Sequence, residues 1–299
     1  MKKQYQEYLK SLRVESDKKI SLKKDFETDC KNKPFDKNEG KILLREGVEH
    51  LTRLQEMLYA HDRYSILIVL QAMDAAGKDG AVKHVMSGLN PVGVTVSNFK
   101  TPTYNELDHD YLWRHYMCLP TRGTFGIFNR SHYENVLVTR VHPEFVLNER
   151  LPDITSVKDI EHSFWEKRYK QINHFEKTLV ENGTLIIKFF LHVSKEEQKK
   201  RFLERITNPE KNWKFSAADA AERKHWEQYM EAYEEMLSAT SKDYAPWYVI
   251  PADDKWFSRT CMADIIALEA QKLKLHYPGI SEAQKEALEK AKENLLNEE

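Results

Sequence analysis

The chain has 299 residues, enough for one large α/β domain or two small ones. Basic and acidic side chains nearly cancel, 46 against 47, in a chain that is 41% hydrophobic and 31% charged. That balance excludes bulk attraction to nucleic acid or to an anionic membrane, so anion binding has to come from local clustering. The longest apolar runs, SILIVL and TLIIKFFLHV, are too short for a membrane span, and the N-terminus shows no secretory signal. Cys30, Cys118 and Cys261 are scattered, with neither metal-ligand spacing nor a disulfide framework. The expectation is a cytoplasmic protein with no nucleic-acid or membrane partner.

Residues 1–37 are polar and lysine-rich and read as an irregular arm. Asp36 and Glu39 suit a capping box for a helix to about Ala60, with Leu44, Val48, Leu51, Leu54 and Leu58 on one apolar face. SILIVLQ reads as a buried parallel strand, followed by a loop and a helix from about Gly80. Asn90 and Pro91 break that helix, and GVTVSNF (93–99) alternates as a second strand. ELDHDYLWRHYMCL predicts one helix, and GIF (126–128) a short strand. Ile160, Phe164, Arg168, Ile172, Phe175 and Leu179 mark a long helix ending at Asn182 and Gly183.

TLIIKFFLHV is the next strand, and Ser194 caps the helix SKEEQKKRFLERI. A polar stretch, TNPEKNWKFSAAD, precedes the helix ERKHWEQYMEAYEEML; APWYVIPADD supplies a last strand, followed by a helix to about 274. Ser281 and Gln284 cap a final helix. Strands separated by helices imply a parallel sheet covered on both faces. The predicted architecture is one three-layer α/β domain over residues 38–275, with a lid near 207–220 and a helical tail at 276–299.

The loop MDAAGKDG departs from the phosphate-binding pattern G-x-x-x-x-G-K-[ST]. Ala72 stands at the first glycine, and Asp79 at the Ser or Thr. The remaining context, a buried strand before and a helix after, still suits phosphate held by Ala75, Ala76, Gly77 and Gly80, with Lys78 reaching the outer phosphates. Asp74 adds a second acid. A carboxylate about 4 Å from a phosphate charge costs about 4 kcal/mol at an effective dielectric near 20, so two unscreened acids would spoil the site. They become sensible if magnesium lies between them and the phosphates, or if an attacking phosphate oxygen must be oriented. Asp79 suits either that metal shell or a simple helix cap.

GIFNRSHYENVLVTRVHP places Asn129, Arg130 and Glu134 just beyond a short strand. Where nucleotide kinases commonly carry a metal-holding Asp, this chain has Asn129; Glu134, about a turn further on, is the acid that supplies the charge. MDAAGKDG, LWRHY, FNRSHYENVLVTRVHP, KKRFLERI, NWKFS and PADDKWF together resemble the polyphosphate kinase 2 family, in the form of its third class, whose single-domain members phosphorylate AMP and ADP. The resemblance implies a P-loop kinase-like fold similar to thymidylate kinase with a helical lid, a homo-oligomer, a magnesium cofactor, and AMP, ADP, ATP and inorganic polyphosphate as partners. It implies that Asp74 activates the acceptor phosphate, that Lys78 touches the transferring phosphates, and that Arg130 holds a phosphate. Glu134, in place of an Asn of the diphosphate-specific class, is implied to admit the monophosphate and to join Asp74 as a magnesium ligand.

A phosphate polymer needs a row of cations. Residues 195–214 carry seven, of which Arg201 and Arg205 share a helix face next to the lid and Lys211 and Lys214 lie within it. Lys100 and Arg114 are further candidates, as are Lys255 and Lys23 and Lys24; the last two read equally well as a solvated arm. His84, His115 and His132 are expected to be structural, because direct transfer between phosphates needs no histidine. Two rivals remain: an ATP-dependent nucleoside monophosphate kinase and a polyanion-binding module without turnover.

Overall fold

All eight residues of β1 (Ser65–Ala72) are buried. A continuously apolar strand of this kind must be flanked on both edges and both faces. In the computed structural model, which describes residues 3–31 and 34–298, β1 is the centre of a five-stranded parallel sheet. β2 (Val94–Asn98) and β3 (Phe125–Asn129) lie to one side, and β4 (Thr184–His192) and β5 (Trp247–Pro251) to the other, in the order β2-β3-β1-β4-β5. The register aligns Leu70 with Asn129 and Ala72 with Leu191, so the segments leaving β1, β3 and β4 open on one rim. Open α/β sheets bind ligands outside the carboxyl ends of their strands.

Helices Lys37–His61, Lys78–Val85 and Lys255–Gln271 pack together as one layer; Glu134–Val141, His162–Glu181 and Trp226–Thr240 form the other. The 37–61 helix starts at Asp36, whose carboxylate accepts from Asn38 N and Glu39 N. Gly40 lets it approach the 255–271 helix, since a Cβ there would collide with the Trp256 ring. Helix Lys195–Thr207 carries the chain from β4 into the lid region. There, 3-10 turns at Pro209–Lys214 and Glu222–His225 bracket a short helix, Ala217–Ala221. Among the described residues no helix is long and apolar enough to cross a membrane.

Three expectations change. The arm is not irregular: Lys3–Ser11 is helical and buries Tyr5 and Leu9 in the core. Beyond it, Val14 N donates to Trp247 O and Val249 N to Leu12 O, so the arm runs antiparallel along the outer edge of β5. Its polar residues face water, while the few apolar ones decide its place. ELDHDYLWRHYMCL is not one helix but two short ones, Tyr104–Leu107 and Trp113–Tyr116. Asp110 breaks it by accepting from Leu112 N, a local bond that competes with helix, and Asp108 is drawn to Arg150. ERKHWEQYMEAYEEML likewise divides into the 222–225 turn and the 226–240 helix. The predicted tail helix, Glu282–Leu296, forms with its Ser281–Gln284 capping box and buries none of its residues. Residues 1, 2, 32, 33 and 299, which belong to the expected arm and tail, lie outside the described residues.

Candidate active site

The loop after β1 turns through two left-handed residues, Ala75 (φ 61°) and Gly77 (φ 113°). At Gly77 the missing Cβ makes the turn accessible; at Ala75 the same conformation costs about 1–2 kcal/mol and has to be held. Arg201 holds it. The buried guanidinium donates through Nη1 to Ala75 O (3.1 Å) and Ala76 O (2.7 Å), and through Nη2 to Ala252 O (2.7 Å) and Asp253 O (2.9 Å). Nε donates to Glu197 at 2.8 Å. A trans peptide points its N–H opposite its C=O, so the carbonyl that Ala76 gives to Arg201 turns Gly77 N–H away from Arg201. Arg201 thus shapes the loop after β1 from beneath, whereas the sequence placed it beside Arg205 on a lid-facing surface. Arg205 is half-exposed and donates to Lys214 O at 3.3 Å.

Arg201→Met leaves four carbonyls and Glu197 without their donor. Unsatisfied buried acceptors cost about 1–3 kcal/mol each where water cannot enter. The variant should therefore lose about 3 kcal/mol of stability in urea unfolding. A loss below about 1 kcal/mol would show that the loop holds its shape without this clamp.

Lys78 begins the helix that follows, and its Nζ folds back onto Ala72 O at 2.8 Å. Burial lowers its amine below the ordinary lysine range, and neighbouring Arg130 adds to the effect. Gly80, one turn in, gives its carbonyl to the His84 ring.

Facing the loop, the turn after β3 carries Arg130 in the left-handed region (φ 62°), its N–H bonded to Leu70 O at 3.1 Å. Arg130 Nη2 donates to Asp74 Oδ1 at 2.9 Å, and Nη1 lies 3.9 Å from Glu134 Oε2. One guanidinium therefore sits between two acids from different segments. Burial raises the Glu134 carboxyl above the ordinary range, against the pull of Arg130 and Lys78.

Asp79 is not the N-cap of its helix; Gly77 is. Its carboxylate instead accepts from Asn129 Nδ2 at 2.8 Å, and Asn129 Nδ2 also reaches Asn98 Oδ1 at 2.7 Å. The usual arrangement has a loop hydroxyl and a strand-end aspartate. Here the charge is on the loop and the neutral group on the strand end.

Of the remaining predicted cations, Arg114 donates to Lys100 O at 2.8 Å and lies over Phe99, which ties both to the segment after β2. Lys100 is exposed. Lys211 is paired with Glu204, and Lys214 sits 4.9 Å over the exposed Trp213. Lys23 and Lys24 line a separate groove with Ser194 and Trp226. His84 bonds within its own helix, and His115 and His132 are buried.

Asp74, Arg130 and Glu134 form one end of a cavity of about 190 Å³. Its walls include Leu137, Val138, Phe145, Tyr229 and Tyr233, with His142, Asp219 and Glu222 toward the lid. None of these wall residues was picked out from the sequence. Tyr229 and Tyr233 repeat at i,i+4, which reads simply as a core face; their pairing with the loop is visible only once the helices are packed. Among the described residues no three His, Cys, Asp or Glu side chains converge as a metal cage.

The Polyphosphate kinase 2 family model matches residues 34–276. The chain is 51% identical over 254 residues to the ADP-polyphosphate phosphotransferase of Rhodopseudomonas palustris, covering 85% of this chain and 87% of that protein. It is 43% identical over 270 residues to the AMP/ADP-polyphosphate phosphotransferase of Meiothermus ruber, covering 90% and 96%. The crystal structure of Polyphosphate Kinase 2 from Arthrobacter aurescens superposes with a TM-score of 0.82 at 38% identity, over 93% of this chain and 94% of that one. The rim that the parallel register builds, the loop that Arg201 holds on it and these near end-to-end matches agree: the chain belongs to the polyphosphate kinase 2 family.

Proposed function

We propose that the protein moves the terminal phosphoryl group of inorganic polyphosphate onto AMP or ADP, reversibly, so that ATP is both a product and, in reverse, a donor. The observation that carries this reading is Arg130 held between Asp74 and Glu134 at one end of the cavity, with Lys78 close enough to feel all three charges. An acceptor phosphate entering there competes for the guanidinium and frees both carboxylates. Asp74 then faces the acceptor oxygen and orients it, while Lys78 leaves the Ala72 carbonyl for the transferring phosphate. A P–O bond forms to the acceptor as the bond to the polymer breaks, and the shortened chain leaves with the electron pair. Positioning and charge compensation supply most of the rate.

The residues fit a magnesium ion. Asp74 and Glu134 share the single Arg130 guanidinium, Asp79 accepts from Asn129 Nδ2, and Asn129 Oδ1 is buried with no hydrogen-bond donor. Such a site, short of a full protein cage, suits an ion held largely by phosphate oxygens. Asp74 and Glu134 are the side chains placed to hold it; when bound, it supplies neutralisation of the phosphate charge. Lys100, Arg205 and Lys214 are the exposed or half-exposed groups for the polymer, while Arg114 and Lys211 would first have to leave Glu106 and Glu204. The cavity is smaller than the ~300–1,000 Å³ common for ligand sites, so a whole nucleotide enters only when the lid segment shifts.

Incubation with AMP, magnesium and long-chain polyphosphate, with no nucleoside triphosphate, should yield ADP and then ATP. Product that appears only when ATP is the donor would overturn the reading in favour of a monophosphate kinase. In the same assay Glu134→Asn should reduce AMP phosphorylation more than ADP phosphorylation, because the shorter acceptor depends more on charge supplied by the protein. Equal losses would remove Glu134 from acceptor selection.

A further inference from the structure

Between Arg130 and Glu134 the chain makes three side chains that never reach the cavity. Ser131, His132 and Tyr133 are each at most 1% exposed and point beneath the turn. Gln71 of β1 donates to Ser131 Oγ at 3.1 Å. Below the other two lies an ion pair with no exposure at all: Lys188, from the middle of β4, and Glu176, from the 162–181 helix, 2.5 Å apart. Glu176 Oε1 accepts from Tyr133 Oη at 2.7 Å and lies 3.2 Å from His132 Nε2. Lys188 Nζ donates to Tyr133 Oη at 2.9 Å and to Thr240 O at 2.8 Å, so all three of its protons are used.

A pair this deeply buried is weak evidence for stability, since well-packed apolar residues often serve as well or better. What it does provide is direction. A hydrocarbon surface would hold Tyr133 anywhere along its length, whereas a carboxylate and an ammonium fix its hydroxyl at one point. His132 lies two residues beyond the left-handed Arg130, and Tyr133 directly precedes Glu134, the first residue of the 134–141 helix. The left-handed turn carries strain that the surroundings must hold. Burial alone would push the Glu176 carboxyl up, but Lys188 and His132 keep it below the ordinary range, so the anchor stays charged.

We propose that the buried Glu176–Lys188 pair is a positioning device for transfer: acting through Tyr133 and His132, it sets the turn that holds Arg130 and Glu134 against Asp74. Neither residue touches substrate. The inference rests on the reading of Arg130 and Glu134 as transfer-site groups.

The test separates positioning from stability. Glu176→Leu combined with Lys188→Met replaces the pair by apolar side chains of similar size and should keep or raise the melting temperature. Turnover at saturating polyphosphate and ADP should nevertheless fall tenfold or more, with KM for polyphosphate within about twofold of the parent. Tyr133→Phe, which removes only the hydroxyl, should lower turnover by about three- to tenfold alone. Added to the double variant it should cost nothing more, because both changes break one contact. A double variant with parental turnover overturns the proposal, as does a loss explained entirely by its unfolded fraction. If the double variant does not fold, Tyr133→Phe decides, and parental turnover there overturns the proposal. Arg130→Ala run alongside keeps the two readings apart. If it is active, the site reading fails; if it is inactive while the double variant is fully active, only the positioning device fails.

Discussion

Lys78→Ala is expected to lower turnover by two orders of magnitude or more while the protein remains folded. In the proposed reading, the amine now bonded to Ala72 O follows the phosphoryl group as it moves between two oxyanions. A hundredfold loss corresponds to about 2.7 kcal/mol of transition-state stabilisation, the scale of one charge-assisted contact in a partly desolvated site. Stability should change little, because Ala72 O is released at the open rim of the sheet, and alanine favours the helix that starts at this position. Turnover with polyphosphate and ADP and the melting temperature, measured on the same sample, check both halves. Turnover within tenfold of the parent would remove Lys78 from the transfer step. The parent should also lose activity on the alkaline side below the ordinary lysine range, since burial and then Arg130 lower this amine and deprotonation removes the cation. Lys78→Ala should show no such alkaline limb.

Asp74→Asn is expected to cost a similar factor, with a different signature. The amide keeps the size of the side chain but cannot orient or take a proton from an acceptor phosphate. It also removes a carboxylate that repels the incoming anion. The expected result is therefore a fall in kcat of a hundredfold or more, with KM for the nucleotide unchanged or lower. Arg130 loses the charge of its 2.9 Å partner but keeps an amide oxygen there and Glu134 at 3.9 Å, so the turn should not collapse. A rise in KM with parental kcat would mean that Asp74 serves binding alone.

The sequence made the central strand, the loop and the rim residues legible for a simple reason: each is encoded locally. SILIVLQA is apolar from Ile66 to Leu70 because β1 is covered on every side, and Gly77-Lys78 follows it after a four-residue turn. Arg130 and Glu134 could be paired because one turn separates them. Their meeting with Asp74 was not encoded that way, since it depends on β3 lying beside β1 in a particular register. Arg201 was read by helical spacing as a partner of Arg205, and spacing cannot tell which side of a polar helix faces a neighbouring loop. The arm misled for the opposite reason. Its composition is that of a solvated segment, and a few scattered apolar residues, among them Tyr5, Leu9, Leu12, Val14, Ile20, Leu22 and Phe35, fix it to the core. Asp79 shows the limit most clearly. Helix cap and metal-shell partner were both chemically reasonable; Gly77 takes the cap, and the carboxylate bonds Asn129, a residue fifty positions away.

The attachment of the arm to β5 has a consequence for how the chain reaches its folded state. Leu12 and Val14 find their backbone partners in Trp247 and Val249, which are made more than two hundred residues later. Closing so long a loop is entropically late, and during translation it is impossible until β5 has left the ribosome. The central strands and the phosphate loop can assemble before then. The β5 edge of the sheet is thus sealed by an earlier part of the chain, and a nascent molecule keeps that edge open until residues 12–14 return to it.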